Sequence, residues 1–290
     1  MKKSRKLATL GICSALFLGL AACQQQHATS EGTNQRQSSS AKVPCKASYT
    51  NLNNQVSTEE VKSLLSAHLD PNSVDAFFNL VNDYNTIVGS TGLSGDFTSF
   101  THTEYDVEKI SHLWNQKKGD FVGTNCRINS YCLLKNSVTI PKLEKNDQLL
   151  FLDNDAIDKG KVFDSQDKEE FDILFSRVPT EATTDVKVHA EKMETFFSQF
   201  QFNEKARMLS VVLHDNLDGE YLFVGHVGVL VPTDDGFLFV EKLTFEEPYQ
   251  AIKFASKEDC YKYLGTKYAD YTGEGLAKPF IMDNDKWVKL

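Results

Sequence analysis

The stretch Asp120-Phe-Val-Gly-Thr-Asn-Cys-Arg-Ile-Asn-Ser-Tyr-Cys-Leu-Leu-Lys-Asn136 decides how the chain is read. Its first residues, with Gly123, form a loop. Asn125 then suits an N-cap and Cys126 the first helical position, while Ile128, Tyr131 and Cys132 recur at helical spacing as an inward face. A thiol at a helix start meets free N–H groups and the positive end of the helix dipole, and both favour the thiolate. Cys126 is therefore the candidate nucleophile, and a base must come from elsewhere in the chain. The same position would also suit an inert, buried cysteine that simply begins a core helix.

Downstream, Gly225-His226-Val227-Gly228-Val229-Leu230-Val231 reads as a strand. Strict alternation puts His226 on one face with Leu222, Val224 and Leu230. On the next strand Glu241 interrupts an apolar face made by Phe237, Phe239, Leu243 and Phe245, and a carboxylate there must be paired or protonated. A four-residue hairpin loop from Pro232 to Asp235 would set Glu241 directly opposite His226. Cys126, His226 and Glu241 then supply a thiol, a base and an orienting group. His214, at a strand end beside a turn, is expected at the surface.

The flanking segments give the class. Upstream, Ser57-Thr58-Glu59-Glu60 reads as a capping box for a helix bearing Val61, Leu64, Leu65 and His68. Asp70-Pro71-Asn72 ends it, a second helix runs over 74–84, and Asp106 caps a third that reaches Trp114. Residues 138–140 and 148–152 read as short strands. Residues 153–158 read as a solvated acidic turn, which fails the calcium-loop pattern because Ile157 stands where an oxygen ligand is needed. Helices are expected over 168–177 and 187–202. Antiparallel strands are expected over 208–213, 221–231 and 237–245, followed by a helix over 256–264 and a strand over 280–288. The predicted class is α+β in one domain over 47–290, with a helical part 47–136, an insertion 137–207 and an antiparallel sheet part 208–290.

Composition is that of a globular chain, with 41% hydrophobic and 24% charged residues, so a sizeable core is expected. Lys2, Lys3, Arg5 and Lys6 precede an apolar run that ends in Leu20-Ala21-Ala22-Cys23, the layout of a signal peptide over 1–22. This ending resembles the lipobox of bacterial lipoproteins. That resemblance implies cleavage before Cys23, a lipid on its sulfur, and anchorage on the outer face of the cell membrane. Residues 23–46 are polar and read as a flexible tether. Cleavage removes four basic residues from a chain whose formal charge is already −9, which argues against nucleic acid as a partner. Cys45, Cys132 and Cys260 are left open as to pairing, and Cys126 is expected to be a thiol. No metal or other cofactor is expected, and a monomer is.

A helix-starting cysteine after a Gly-containing loop, followed later by His-Val-Gly-Val on a strand, resembles the NlpC-type cysteine peptidases and amidases of the papain-like superfamily. The resemblance implies a papain-like core with helices packed on an antiparallel sheet, Cys126 as nucleophile, His226 as base and Glu241 as orienter. It also implies an amide bond of a peptidoglycan peptide as substrate and a thioester at Cys126 as intermediate. The N–H of Cys126 and the side chain of Gln116 are the oxyanion donors considered. This chain departs from that pattern at Asn125, where Asp is usual, and at Arg127, where Ser is usual. With its lipobox, Asn125-Cys126-Arg127 and Phe239-Val240-Glu241-Lys242, it also resembles Gram-positive lipoproteins of domain-of-unknown-function family 4300, which implies no activity. The alternative function is a non-catalytic lipoprotein that binds a wall fragment, a solute or a partner protein.

Overall fold

A computed structural model describes residues 47–100 and 103–290. The expectations for the signal peptide 1–22, Cys23, the tether 23–46 and Cys45 lie outside the described residues.

Short polar side chains start most of the helices by accepting a free amide. Strand β1 (Ser48–Thr50) leads to α1 (Gln55–Ser66), which is capped by Asn54 through Ser57 N–H at 2.9 Å, ahead of the expected box at Ser57. Asp70 caps α2 (Pro71–Val88), so the Asp-Pro pair opens this helix as well as ending the previous one; proline suits the first helical position, where its missing N–H costs nothing. After β2 (Thr98–Ser99), Asp106 caps α3 (Val107–Lys118) as expected. Asn125 then caps α4 (Cys126–Leu134), its side-chain Oδ1 accepting Ile128 N–H at 3.1 Å, and every residue of α4 except Arg127 is buried.

The next segment differs most from expectation. After β3 (Val138–Thr139), residues 148–150 form a 3-10 turn that runs into α5 (Phe151–Gly160), not a strand. Asp153, expected in a solvated turn, is fully buried on α5 because a guanidinium partner awaits it there. There follow α6 (Ser165–Leu174), β4 (Val178–Pro179), α7 (Val186–Phe197) and β5 (Gln201–Phe202). The α7 helix stops short of 202 because Gln201 and Phe202 pair with β3.

The sheet is built from β6 (Arg207–Asp215), β7 (Tyr221–Thr233), β8 (Gly236–Lys242) and β9 (Tyr249–Phe254). After α8 (Lys257–Lys267) come β10 (Phe280–Asp283) and β11 (Lys286–Val288). Its order is β11-β10-β6-β7-β8-β9-β1-β2, with β4 also on β7, and the described pairings are antiparallel. Strand β9 is additional to the expected strands, and 280–288, expected as one strand, is two: Asn284, at φ 53°, turns it into a hairpin. The chain is thus α+β, with eight α-helices and an antiparallel sheet among the described residues.

One irregularity decides where His226 goes. Val211 pairs with His226 but Val212 pairs with Val224, so Gly225 is an extra residue in β7 and forms a bulge. Side chains exchange faces across it. Leu222 and Val224 join the larger core with α2 and α4, whereas Leu230, and with it His226, lies on the face that packs Leu209, Val211 and Leu213 against α8. The expected common face of His226 with Leu222 and Val224 therefore does not form; only Leu230 shares it. A Cβ at Gly225 would lie 2.2 Å from the Leu213 side chain, so the bulge needs glycine.

The β7–β8 turn also differs. Thr233 pairs with Gly236, leaving Asp234 and Asp235 as a two-residue turn instead of a four-residue loop. The resulting slip of two residues preserves parity. Glu241 stays on the face of His226, but the register carries it opposite Gly228, and it meets the imidazole diagonally.

Candidate functional site

Helix α4 lies along β7. Ser130 Oγ donates to Val227 O at 3.2 Å, and Arg127 Nη1 donates to Val224 O at 3.0 Å, so the start of the helix is held beside the bulge. There the Cys126 thiol and the His226 imidazole lie close enough to shift each other's titration. The ring's Nε2 is 2.5 Å from Glu241 Oε2, which leaves Nδ1 for the sulfur. Cys126, His226 and Glu241 are thus brought together around one imidazole. All three are buried, with 5%, 1% and 1% of their surface exposed.

Burial alone would raise the thiol pKa, but the charge and hydrogen bond of His226 outweigh it, helped by Arg127, and the Cys126 pKa is lowered. Burial would likewise disfavour the imidazolium. The thiolate beside it and the hydrogen bonds to Cys126 and Glu241 prevail, and the His226 pKa is raised. The thiol and imidazole therefore favour a thiolate–imidazolium pair that titrates as a unit. Glu241 resists its own desolvation through the charge of Lys267 and bonds from His226 and the Tyr263 hydroxyl, which hold its pKa down to about 2. An ionised carboxylate has no proton to give, so Nε2 of His226 donates to it and the tautomer is fixed.

Four supporting groups were not legible as such in the sequence. Tyr263 and Lys267 bond Glu241 from α8, and Tyr268, just past that helix, stacks on the imidazole at 5.1 Å between ring centroids. Their spacing at 263 and 267 is one helical turn, a pattern common to any helix, and nothing in it names the partner. Asp153 is the fourth. Its carboxylate accepts from Asn125 and from two guanidinium nitrogens of Arg127, the residues on either side of Cys126.

Gln116 is on the exposed side of α3, its amide 2.9 Å from His112 Nε2, and none of its described bonds goes to Cys126. The N–H of Cys126, at the first helical position, has no acceptor within the helix. Cys132 and Cys260 are buried elsewhere in the two cores, and burial pushes the Cys132 thiol up to about 12. His214, expected at the surface, is 1% exposed: Ala277 N–H donates to its Nδ1 at 3.0 Å, and its Nε2 meets Glu220 at 2.7 Å.

A neighbouring lysine fixes the other side of β8. Lys242 is buried among Tyr84 and Tyr249, and burial lowers its pKa to about 7. Its Nζ nevertheless meets the carbonyls of Thr244, Phe245 and Glu247, and three acceptors call for the three N–H donors of the ammonium form. Beside it a cleft of about 140 Å³ is lined by Tyr84, Ile110, Trp114, Val122 and Phe245, next to the loop that leads into Cys126. In that loop Gly123, at φ 90°, passes so near the indole of Trp114 that a Cβ would be 3.3 Å from it.

Among the described residues no group of three or more His, Cys, Asp or Glu is arranged to hold a metal ion, and no helix is long and apolar enough to cross a membrane. No curated protein and no solved structure matches the chain. Residues 48–288 match the family described as Domain of unknown function (DUF4300), and the chain belongs to that family.

Proposed function

We propose that this protein is a cysteine hydrolase with a papain-like core, held by a lipid on Cys23 at the outer face of the cell membrane, that cleaves an amide bond in cell-wall peptides. The observation that carries the chemistry is the buried group of Cys126, His226 and Glu241. The Cys126 thiolate attacks the amide carbonyl, and the N–H of Cys126 receives the developing negative charge on oxygen. Imidazolium Nδ1–H then protonates the departing amine, leaving a thioester at Cys126. Neutral His226 next takes a proton from water, whose hydroxide attacks the thioester and releases the acid and the thiolate, with the proton back on His226. Glu241 keeps the ring oriented and stabilises its charge throughout.

Purified wall fragments incubated with the protein test this reading. Release of a new amine and carboxylate, abolished by Cys126→Ser, is expected; no turnover on any wall peptide, with Cys126 labelling as slowly as Cys132, would overturn it. Labelling with a radioactive fatty acid, lost in Cys23→Ala, checks the anchor.

A second reading draws on the burial of the site: a lipoprotein that keeps this fold and only binds a wall fragment, a solute or a partner protein. Unchanged fragment binding by Cys126→Ser, without turnover by the unaltered protein, distinguishes it.

A further inference from the structure

The interactions around Asp153 are denser than capping a helix requires. Its side chain is fully buried on α5. Oδ1 accepts from Asn125 Nδ2 at 2.7 Å and Arg127 Nε at 2.9 Å, and Oδ2 accepts from Arg127 Nη2 at 2.7 Å. The third guanidinium nitrogen, Nη1, donates to Val224 O, two residues ahead of His226 and at the edge of the Gly225 bulge. Asn125 in turn caps α4 through Ile128 N–H. A single carboxylate thus grips the residue before Cys126 and the residue after it, and through the guanidinium it ties both to the strand that carries the base.

A planar guanidinium with two parallel bonds to a carboxylate has little freedom to rotate, so this connection is stiff. A burial device for fold stability alone would not need to join both neighbours of one cysteine to the strand of its partner. Replacing such a pair by apolar groups is often neutral or stabilising, so the geometry of its bonds, more than any net stability, points to placement as its service here.

We propose that Asp153 and Arg127 are positioning residues, which set the Cys126 sulfur against His226 and keep a fixed positive charge beside the thiolate. This rests on the reading of Cys126 as the nucleophile. Arg127 holds the charge, and Asp153 holds Arg127 and Asn125. The other charged groups that act electrostatically on the sulfur are His226 from β7, Asp153 from α5 and, from the other side of β8, Lys242; Glu241 acts through His226.

The test is the rate of Cys126 alkylation by iodoacetamide as a function of pH, followed by mass spectrometry, in the full chain. Arg127→Met removes the charge at similar length, and the acid limb of the profile should move up by about one pH unit. Arg127→Lys keeps the charge without the fork; it should restore the limb while leaving the plateau rate below that of the unaltered protein. Asp153→Asn leaves a buried guanidinium without its counter-charge and is expected to lower the melting temperature. The double variant Asp153→Asn/Arg127→Met removes both charges and keeps the fold testable; because the carboxylate opposes the guanidinium at the sulfur, its limb should move up by less than in Arg127→Met alone, with the plateau rate below that of the unaltered protein. If the double variant melts normally and its profile coincides with that of the unaltered protein, the positioning role is overturned. A lowered melting temperature with an unmoved limb overturns it too, by leaving only a structural role. Slow labelling of Cys126 in the unaltered protein overturns the nucleophile reading itself, and this inference with it.

Discussion

Two buried histidines sit on adjacent strands, and they teach different things. His214 on β6 and His226 on β7 are each 1% exposed, and each holds a glutamate through Nε2. They differ at Nδ1. In His214 that nitrogen accepts a backbone amide, Ala277 N–H, so both ring nitrogens are used to hold the chain together. Its neighbour His189, 4.4 Å away between ring centroids, is used likewise, between Thr180 Oγ1 and Thr183 O. In His226 the second nitrogen is left for the Cys126 thiol, whose charge and hydrogen bonding raise the ring's pKa. Burial and a carboxylate are thus common to both regions, and on the proposed function the partner of the second nitrogen separates a structural imidazole from a catalytic base.

The largest effect that can break this comparison is on rate. His226→Ala should slow both Cys126 alkylation and any hydrolysis by about 100- to 10,000-fold, the usual contribution of a positioned base. His214→Ala should leave the alkylation rate unchanged. Equal slowing by the two variants would erase the distinction.

Stability sharpens it next. Glu241→Ala strands His226, Tyr263 and Lys267 in or beside the core and should cost about 3–5 kcal/mol in chemical denaturation, as expected when one partner of a buried ion pair is removed. His214→Ala leaves the Ala277 amide unpaired and should cost about 1–3 kcal/mol. Gly225→Ala forces a side chain against Leu213 at the bulge and should cost about 1–3 kcal/mol while also slowing Cys126 labelling; His214→Ala should cost stability alone.

The smallest effect is on pH dependence. Glu241 has its carboxyl pKa lowered from 4.5 to about 2 in the folded chain, since Lys267, His226 and Tyr263 together outweigh its burial. Its contribution is therefore fully present above pH 4.5 and is lost as pH falls toward about 2. Melting temperature measured across that window should fall with acid, and the share due to this group should be absent in Glu241→Gln. An identical acid dependence in the variant would assign the fall to other carboxylates.

Much of the site was legible because its parts obey local rules. Asn125 caps the helix and Cys126 begins it, as a polar side chain before a helical apolar pattern requires. Glu241 was marked because a carboxylate interrupts an apolar face, and it does take a partner, His226. The face of His226 was misread because alternation assumes a regular strand, and the Gly225 bulge breaks it. The turn at Asp234–Asp235 was misread by two residues, an error that parity forgave. Asp153 was misread entirely: an acidic cluster looks solvated until a guanidinium distant in sequence is brought to it.

The α+β class, the helix that begins at Cys126 and the pair of strands that carry His226 and Glu241 can all be read from the residues in order. Those follow from capping, periodicity and the cost of burying a charge, all of which act over a few residues. Only the tertiary structure decided that the imidazole would face the thiol, that α8 would supply Tyr263, Lys267 and Tyr268, and that Asp153 would join both neighbours of Cys126. These contacts link residues far apart along the chain, and a bulge of one residue is enough to redirect a side chain from one face of a sheet to the other.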